Sequence, residues 1–316
     1  MTRIKTLNLV LLATLVWAAF NPALSDVQAQ RKTPISIRPS ILAGTWYPGS
    51  PDTLRKTILN FLRRANVQPT EGALKAIIVP HAGYRYSGQV AAHAYKLLRA
   101  RHFSRVILIG PSHRIPFEGV SVNLQEGYRT PLGIVRVDVD MAKAILRAAP
   151  SIHWYQNAHA AEHSLEIQLP FLQTVLKDFV IVPILMGSQD YKTCKMLSRV
   201  LSSIVSSAGN TLLLASSDLS HYHDYLTAKR LDSRFIELVK KMDTQGLYEA
   251  LRTGLCEACG GGPVITVLLV SKALGANRVV ILNAANSGDV TGEKHTVVGY
   301  MAGAVFTSFG KGQHPK

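Results

Sequence analysis

Ala76-Ile77-Ile78-Val79-Pro80-His81-Ala82-Gly83-Tyr84 reads as a buried strand that stops at a proline and delivers a histidine into a glycine-containing turn. The same grammar recurs twice. Arg105-Val106-Ile107-Leu108-Ile109 runs into Gly110-Pro111-Ser112-His113, and the strand predicted over Thr211–Ser216 runs into Ser217-Asp218-Leu219-Ser220-His221-Tyr222-His223. Short, continuously apolar, β-branched runs of this kind belong to strands covered on both faces. Helical patterns separate them, predicted over 50–65, 89–100, 140–148, 164–177, 191–205, 226–242 and 263–274. Further strands are expected over 179–185, 278–283 and 295–306, and a hairpin pairing 119–124 with 134–137 around Thr130-Pro131-Leu132-Gly133. The expected fold class is therefore α/β, a single domain whose central, mostly parallel or mixed sheet carries helices on both faces. Ligands in such sheets bind beyond the carboxyl ends of the strands, where these histidines lie.

Composition narrows the function classes. A chain of 316 residues with 47% hydrophobic and 17% charged residues is neither disordered, nor a coiled coil, nor a disulfide-dense mini-protein. The formal charge of +15 comes from scattered lysines and arginines, with no zinc-finger, RNP or helix-turn-helix spacing and few aromatics. Nucleic acid is accordingly not an expected partner. A basic surface remains able to attract anionic small molecules or an anionic membrane surface.

The amino terminus has its own pattern. Arg3 and Lys5 precede an apolar run from Leu7 to Phe20, and Val27-Gln28-Ala29 fits a small-x-small cleavage site. Together these read as a secretory signal peptide over 1–29, with Ser25 as the other cleavage candidate and an uncleaved membrane anchor as the alternative. A flexible segment over 30–37, the α/β domain over 38–309 and a disordered tail over 310–316 complete the expected organisation. The mature protein is expected to be exported, periplasmic or extracellular, with no transmembrane segment.

Imidazole is the commonest nitrogen ligand for iron, copper and zinc, and the usual base near neutral pH. Three histidines at equivalent strand ends thus point to a shared metal or catalytic centre, although any one alone could be a hydrogen-bonded loop residue. Cys259, in Cys259-Gly260-Gly261-Gly262-Pro263 before an apolar helix, is a candidate ligand or nucleophile, because a helix N-terminus lowers a thiol's pKa. The triple glycine could instead cradle an anion, and Cys256 and Cys259 could close a disulfide. Cys194 reads as a small buried hydrophobe. His159-Ala160-Ala161-Glu162-His163 fits the inverted zinc-peptidase pattern, on condition that both histidines share one helical face. Trp46, Tyr84, Tyr86 and Tyr222 could line an aromatic substrate pocket or simply pack.

Several ordered motifs resemble the Memo family, also called AmmeMemoRadiSam system protein B. They are Ala43-Gly44-Thr45-Trp46-Tyr47-Pro48, Pro80-His81-Ala82-Gly83-Tyr84, Gly110-Pro111-Ser112-His113, Thr130-Pro131-Leu132-Gly133, the run Glu162 to Pro170, Ser217-Asp218-Leu219-Ser220-His221 and Cys259-Gly260. The resemblance implies a fold related to class III extradiol dioxygenases. It implies His81, His113 and Cys259 as ligands of one metal ion, iron(II) first, with copper or zinc as alternatives. It further implies His221 as a nearby acid/base, with Asp218 orienting it. The implied activity is that of a mononuclear non-haem oxidoreductase. A non-catalytic scaffold binding a peptide or small molecule in the same pocket, or a metal-dependent hydrolase, are the alternatives.

Overall fold

The computed structural model describes residues 36–206 and 209–308. The signal peptide expected over 1–29 and the tail expected over 310–316 lie outside the described residues. In chain order the elements are β1 (Ile37–Arg38), α1 (Pro51–Arg64), β2 (Ala73–Val79), α2 (Tyr84–Lys96), β3 (Arg105–Pro111), β4 (Val120–Val122), β5 (Gly127–Thr130) and β6 (Gly133–Arg136). Then come α3 (Val139–Arg147), β7 (Ile152–His153), α4 (Gln156–Ala161), α5 (Leu169–Val175), β8 (Val180–Met186), α6 (Tyr191–Val205), β9 (Thr211–Ser216) and β10 (His221–His223). The last are α7 (Tyr225–Lys240), α8 (Thr244–Arg252), α9 (Gly261–Ala273), β11 (Arg278–Asn286), α10 (Ser287–Thr291) and β12 (Val297–Thr307).

The main sheet is mixed and nine-stranded, in the order β10-β12-β2-β9-β3-β8-β4-β7, with β11 also paired to β12. Its heart, β2-β9-β3-β8, is parallel, whereas β12 and β4 join it antiparallel. Alternation within the parallel strands feeds two separate apolar layers. Ile77, Val79, Val106, Leu108, Leu212 and Leu214 face α1, α2 and α5. Ala76, Ile78, Ile107, Ile109, Leu213 and Ala215 face α3 and α6–α9. That two-sided demand explains the unbroken hydrophobicity of these strands. Helix starts are capped locally, by Ser50 for α1 and by Asp138, Asp190, Asp224 and Asp243 for α3, α6, α7 and α8.

Several expectations shift in place. The hairpin is β5–β6, with Thr130 opposite Gly133, and β1 extends it through Ile37, a residue expected in the flexible segment. Residues 120–122 pair instead with β8 in the main sheet. The reason is that alternation marks a strand without naming its partner. Helix α2 begins at Tyr84, directly after the His81 turn, rather than near residue 89. Where one helix is expected over 164–177, a 3-10 turn at Glu166–Gln168 precedes the short α5. Helices α4, α8 and α10 have no counterpart among the predicted helices.

Candidate metal centre

Strands β2, β3 and β9 end side by side, with Val79 opposite Ser216 in the parallel ladder. Their ends carry His81, His113 and Asp218 to one mouth. A loop between α4 and the 3-10 turn brings a further histidine. His81, His113 and His163 each offer a ligand atom, and these atoms all lie within 4.8 Å of one another. Their rings are 5.1 Å (81 and 113), 5.3 Å (81 and 163) and 4.4 Å (113 and 163) apart. Gly110 allows this approach. A Cβ there would stand 2.6 Å from Ser164 Oγ and 2.8 Å from a Leu165 methyl, so any larger residue would push the 162–165 loop off β3.

The hydrogen bonds around the triad place its protons. Ser216 has one hydroxyl proton, which goes to the Ser164 carbonyl at 2.7 Å. Its oxygen also accepts from Gln168 Nε2 at 2.8 Å. His81 Nδ1, 2.9 Å from the same oxygen, must then be the N–H donor, which leaves Nε2 as the bare nitrogen. Burial and the neighbouring imidazoles hold His81 well below the ordinary histidine range. Buried Glu162 performs the same service for His113, accepting from its backbone N–H at 2.6 Å and from Nδ1 at 2.9 Å. The carboxylate also takes the backbone N–H groups of His163 and Ser164. Burial alone would raise the Glu162 carboxyl, but these donors and the adjacent imidazoles bring it down to about 2. His163 is lowered by burial to about 4, and Trp46 packs on it at 4.6 Å between ring centroids. Two imidazoles held neutral, with the Nδ1–H groups of His81 and His113 aimed at a hydroxyl and a carboxylate, form a donor set suited to a borderline metal ion.

Cys259 reaches this group through one member. Its sulfur lies 3.0 Å from His81 Nε2, but it does not belong to the mutually close set. Burial, followed by the Asp218 carboxyl, pushes the thiol up rather than down. Two N–H groups at the start of α9 are already engaged: Gly260 N–H donates to Ser217 Oγ and Gly262 N–H to Gln189 Oε1. These bonds occupy two of the three glycine N–H groups that an anion would need. Cys259 is thus a protonated thiol against His81. Cys256 and Cys259 are both free, so the expected disulfide alternative is not formed, and Cys194 is free and buried in α6 as expected.

Other expected roles are redistributed. Asp218 makes no hydrogen bond to His221 among the described residues. It accepts from the backbone N–H groups of His81 and Ala82, while burial raises its carboxyl to about 7. His221 donates Nδ1–H to the Leu219 carbonyl at 2.7 Å, is lowered by burial, and lines the same cavity as the triad. That cavity measures about 1360 Å³, with Trp46, Tyr86 and Tyr222 on its wall. Tyr84, expected on the pocket wall, is not among its lining residues. Its ring is buried against Tyr47 and Phe171 and its hydroxyl donates to the Ile167 carbonyl, because α2 starts at Tyr84 and turns it inward. The zinc-peptidase pattern fails on geometry, since α4 ends at Ala161 and His159 is buried, bonded to Tyr128 and Ser121. His163 and Glu162 follow a short helix rather than a strand, so nothing in their spacing assigns them to the strand-end site.

The model of Memo-like proteins matches residues 38–304. The chain belongs to this family. Memo relatives run nearly full length alongside it. A MEMO1 family protein of Methanosarcina barkeri is 37% identical over 268 residues, covering 84% of this chain and 98% of that one. One from Methanopyrus kandleri is 35% identical over 276 residues, covering 84% and 97%. The crystal structure of an uncharacterized protein from Escherichia coli K12 aligns with a TM-score of 0.50 at 14% identity, over 73% of this chain and 99% of that chain. That likeness concerns the fold alone.

Proposed function

We propose that this Memo protein is a mononuclear metal protein with an oxidoreductase-type site, working outside the cytoplasm. The observation that carries the reading is the convergence of His81, His113 and His163 within 4.8 Å at the mouth of a large cavity. His81 and His113 would hold the ion through their bare nitrogens, with His163 or Cys259 as third donor. Binding through Cys259 would displace the proton it now shares with His81. A bound iron or copper ion would supply redox chemistry and Lewis acidity there, with zinc the non-redox alternative. The chain's own contribution is positional. Ser216 and Glu162 hold the imidazole rings, Trp46 closes one side over His163, and His221 presents a neutral ring nitrogen to the cavity as a proton acceptor.

Metal analysis of the full chain purified without a tag tests this reading. One ion per chain is expected, lost in His81→Ala and His113→Ala, with the dependence on His163→Ala against Cys259→Ala naming the third ligand. Full occupancy in both His81→Ala and His113→Ala would remove the centre and favour the scaffold alternative. Tight zinc without oxygen uptake would favour hydrolysis. Export is supported by the basic-apolar pattern ending at Ala29. A mass of the exported chain that begins at Gln30 is the expected result.

A further inference from the structure

The charged groups on the cavity wall pair off with one exception. Among its carboxylates, Asp190 caps α6 by accepting Thr193 N–H and hydroxyl, Asp218 holds the His81 turn, and Glu257 pairs with His223 at 2.9 Å. Among its cations, Arg252 pairs with Glu249 at 3.0 Å. Arg114 also lines the cavity, directly after His113, and among the described residues it makes no ion pair or hydrogen bond. Glu162, which clamps His113, is already filled by the His113 and His163 donors. The guanidinium is nevertheless close enough to the triad for its charge to be felt at His163.

Arg114 is exposed at the cavity's edge, so an anion entering beside the imidazoles would meet a guanidinium that no group among the described residues engages. Taking the proposed metal cavity as given, we infer that Arg114 anchors the anionic group of a small-molecule ligand, a carboxylate or a phosphate, and so sets its reacting end against the histidine triad. The planar fork of guanidinium matches either oxyanion through two parallel N–H···O bonds, which a lysine cannot reproduce. The volume of about 1360 Å³ leaves room for the rest of such a molecule. The overall charge of +15 favours approach of an anion from solution. Glu118 and Glu126 are formal opposites elsewhere on the chain, but Glu118 is engaged by Ser188 and neither is on the cavity wall.

Calorimetric titration of the full chain, metal-loaded and again after chelation, tests the assignment with benzoate, inorganic phosphate and benzamide, the neutral isostere of benzoate. At least one anion is expected to bind, with benzamide weaker by roughly tenfold or more. Arg114→Gln is expected to weaken anion binding by roughly tenfold with unchanged metal content, Arg114→Lys by less, and Arg234→Gln, outside the cavity, by under about twofold. Preference for benzoate assigns a carboxylate ligand, and preference for phosphate a phosphorylated one. Equal binding of benzamide and benzoate, wild-type affinity in Arg114→Gln, or no binding of either anion at millimolar concentration would overturn the role of Arg114. Failure of the metal reading shows separately, as a metal-free wild type in which the Arg114 dependence persists.

Discussion

Glu162 and Glu166 are two buried carboxylates four residues apart, and they serve opposite ends of one loop. Glu162 gathers the backbone and side chain of His113 with the N–H groups of His163 and Ser164. Glu166 gathers Arg38 at 2.6 Å, Ser40, the Ile41 and Leu42 N–H groups and Tyr47. The first organises the site, and the second binds the segment carrying Trp46 to the domain. Both are held below the ordinary carboxylate range by their donors. Charge burial is thus used twice, once at the candidate site and once for architecture.

The largest effect should come from breaking the architectural member. Glu166→Ala leaves Arg38 charged and buried, and chemical denaturation is expected to register a loss of about 3–5 kcal/mol. Glu162→Gln keeps the shape but accepts through one oxygen. A loss of about 2–3 kcal/mol is expected, with metal affinity down by about 10–100-fold. If Glu166→Gln lowered metal affinity as much as Glu162→Gln, the division between the two would fall.

A third test uses the histidine on the structural side of the same loop. His159 is lowered by burial from 6.5 to about 3. Below pH 6.5 the unfolded chain takes up a proton that the native chain refuses, so stability falls as pH falls from 6.5 toward 3. By pH 5 the loss is roughly 2 kcal/mol. His159→Gln should flatten the stability profile between pH 7 and pH 5 by that amount, whatever its effect at pH 7. An unchanged slope would mean that His159 is not held neutral. The smallest effect belongs to the cavity rim: Tyr222 is 75% exposed, and Tyr222→Ala should move stability by under about 0.5 kcal/mol. A larger loss would show the rim to be part of the framework.

The parallel heart of the sheet was legible because both faces of β2, β3 and β9 are covered, which makes residues 76–79, 106–109 and 212–215 unbroken apolar runs. The strand partner of Val120–Val122 was not, because alternation is the same whether the neighbour is a hairpin arm or β8. Helix α8 escaped notice since its nine residues carry only three buried side chains, Thr244, Leu247 and Ala250. The direction of Tyr84 depended on one fact, the turn at which α2 begins.

At the site, His81, His113 and the stretch to His221 could be read from the chain because each follows its own strand, and strand ends in a parallel sheet share one edge. The sequence alone therefore determined the sheet, the edge and the histidines that reach it. The arrival of His163, the clamp by Glu162, the proton placed on His81 by Ser216 and the protonated state of Cys259 were decided only by the tertiary structure. These depend on contacts across 49, 135 and 178 residues of chain. Local pattern cannot encode which loop will close over a strand end, since that is settled by packing, here by the absence of a side chain at Gly110.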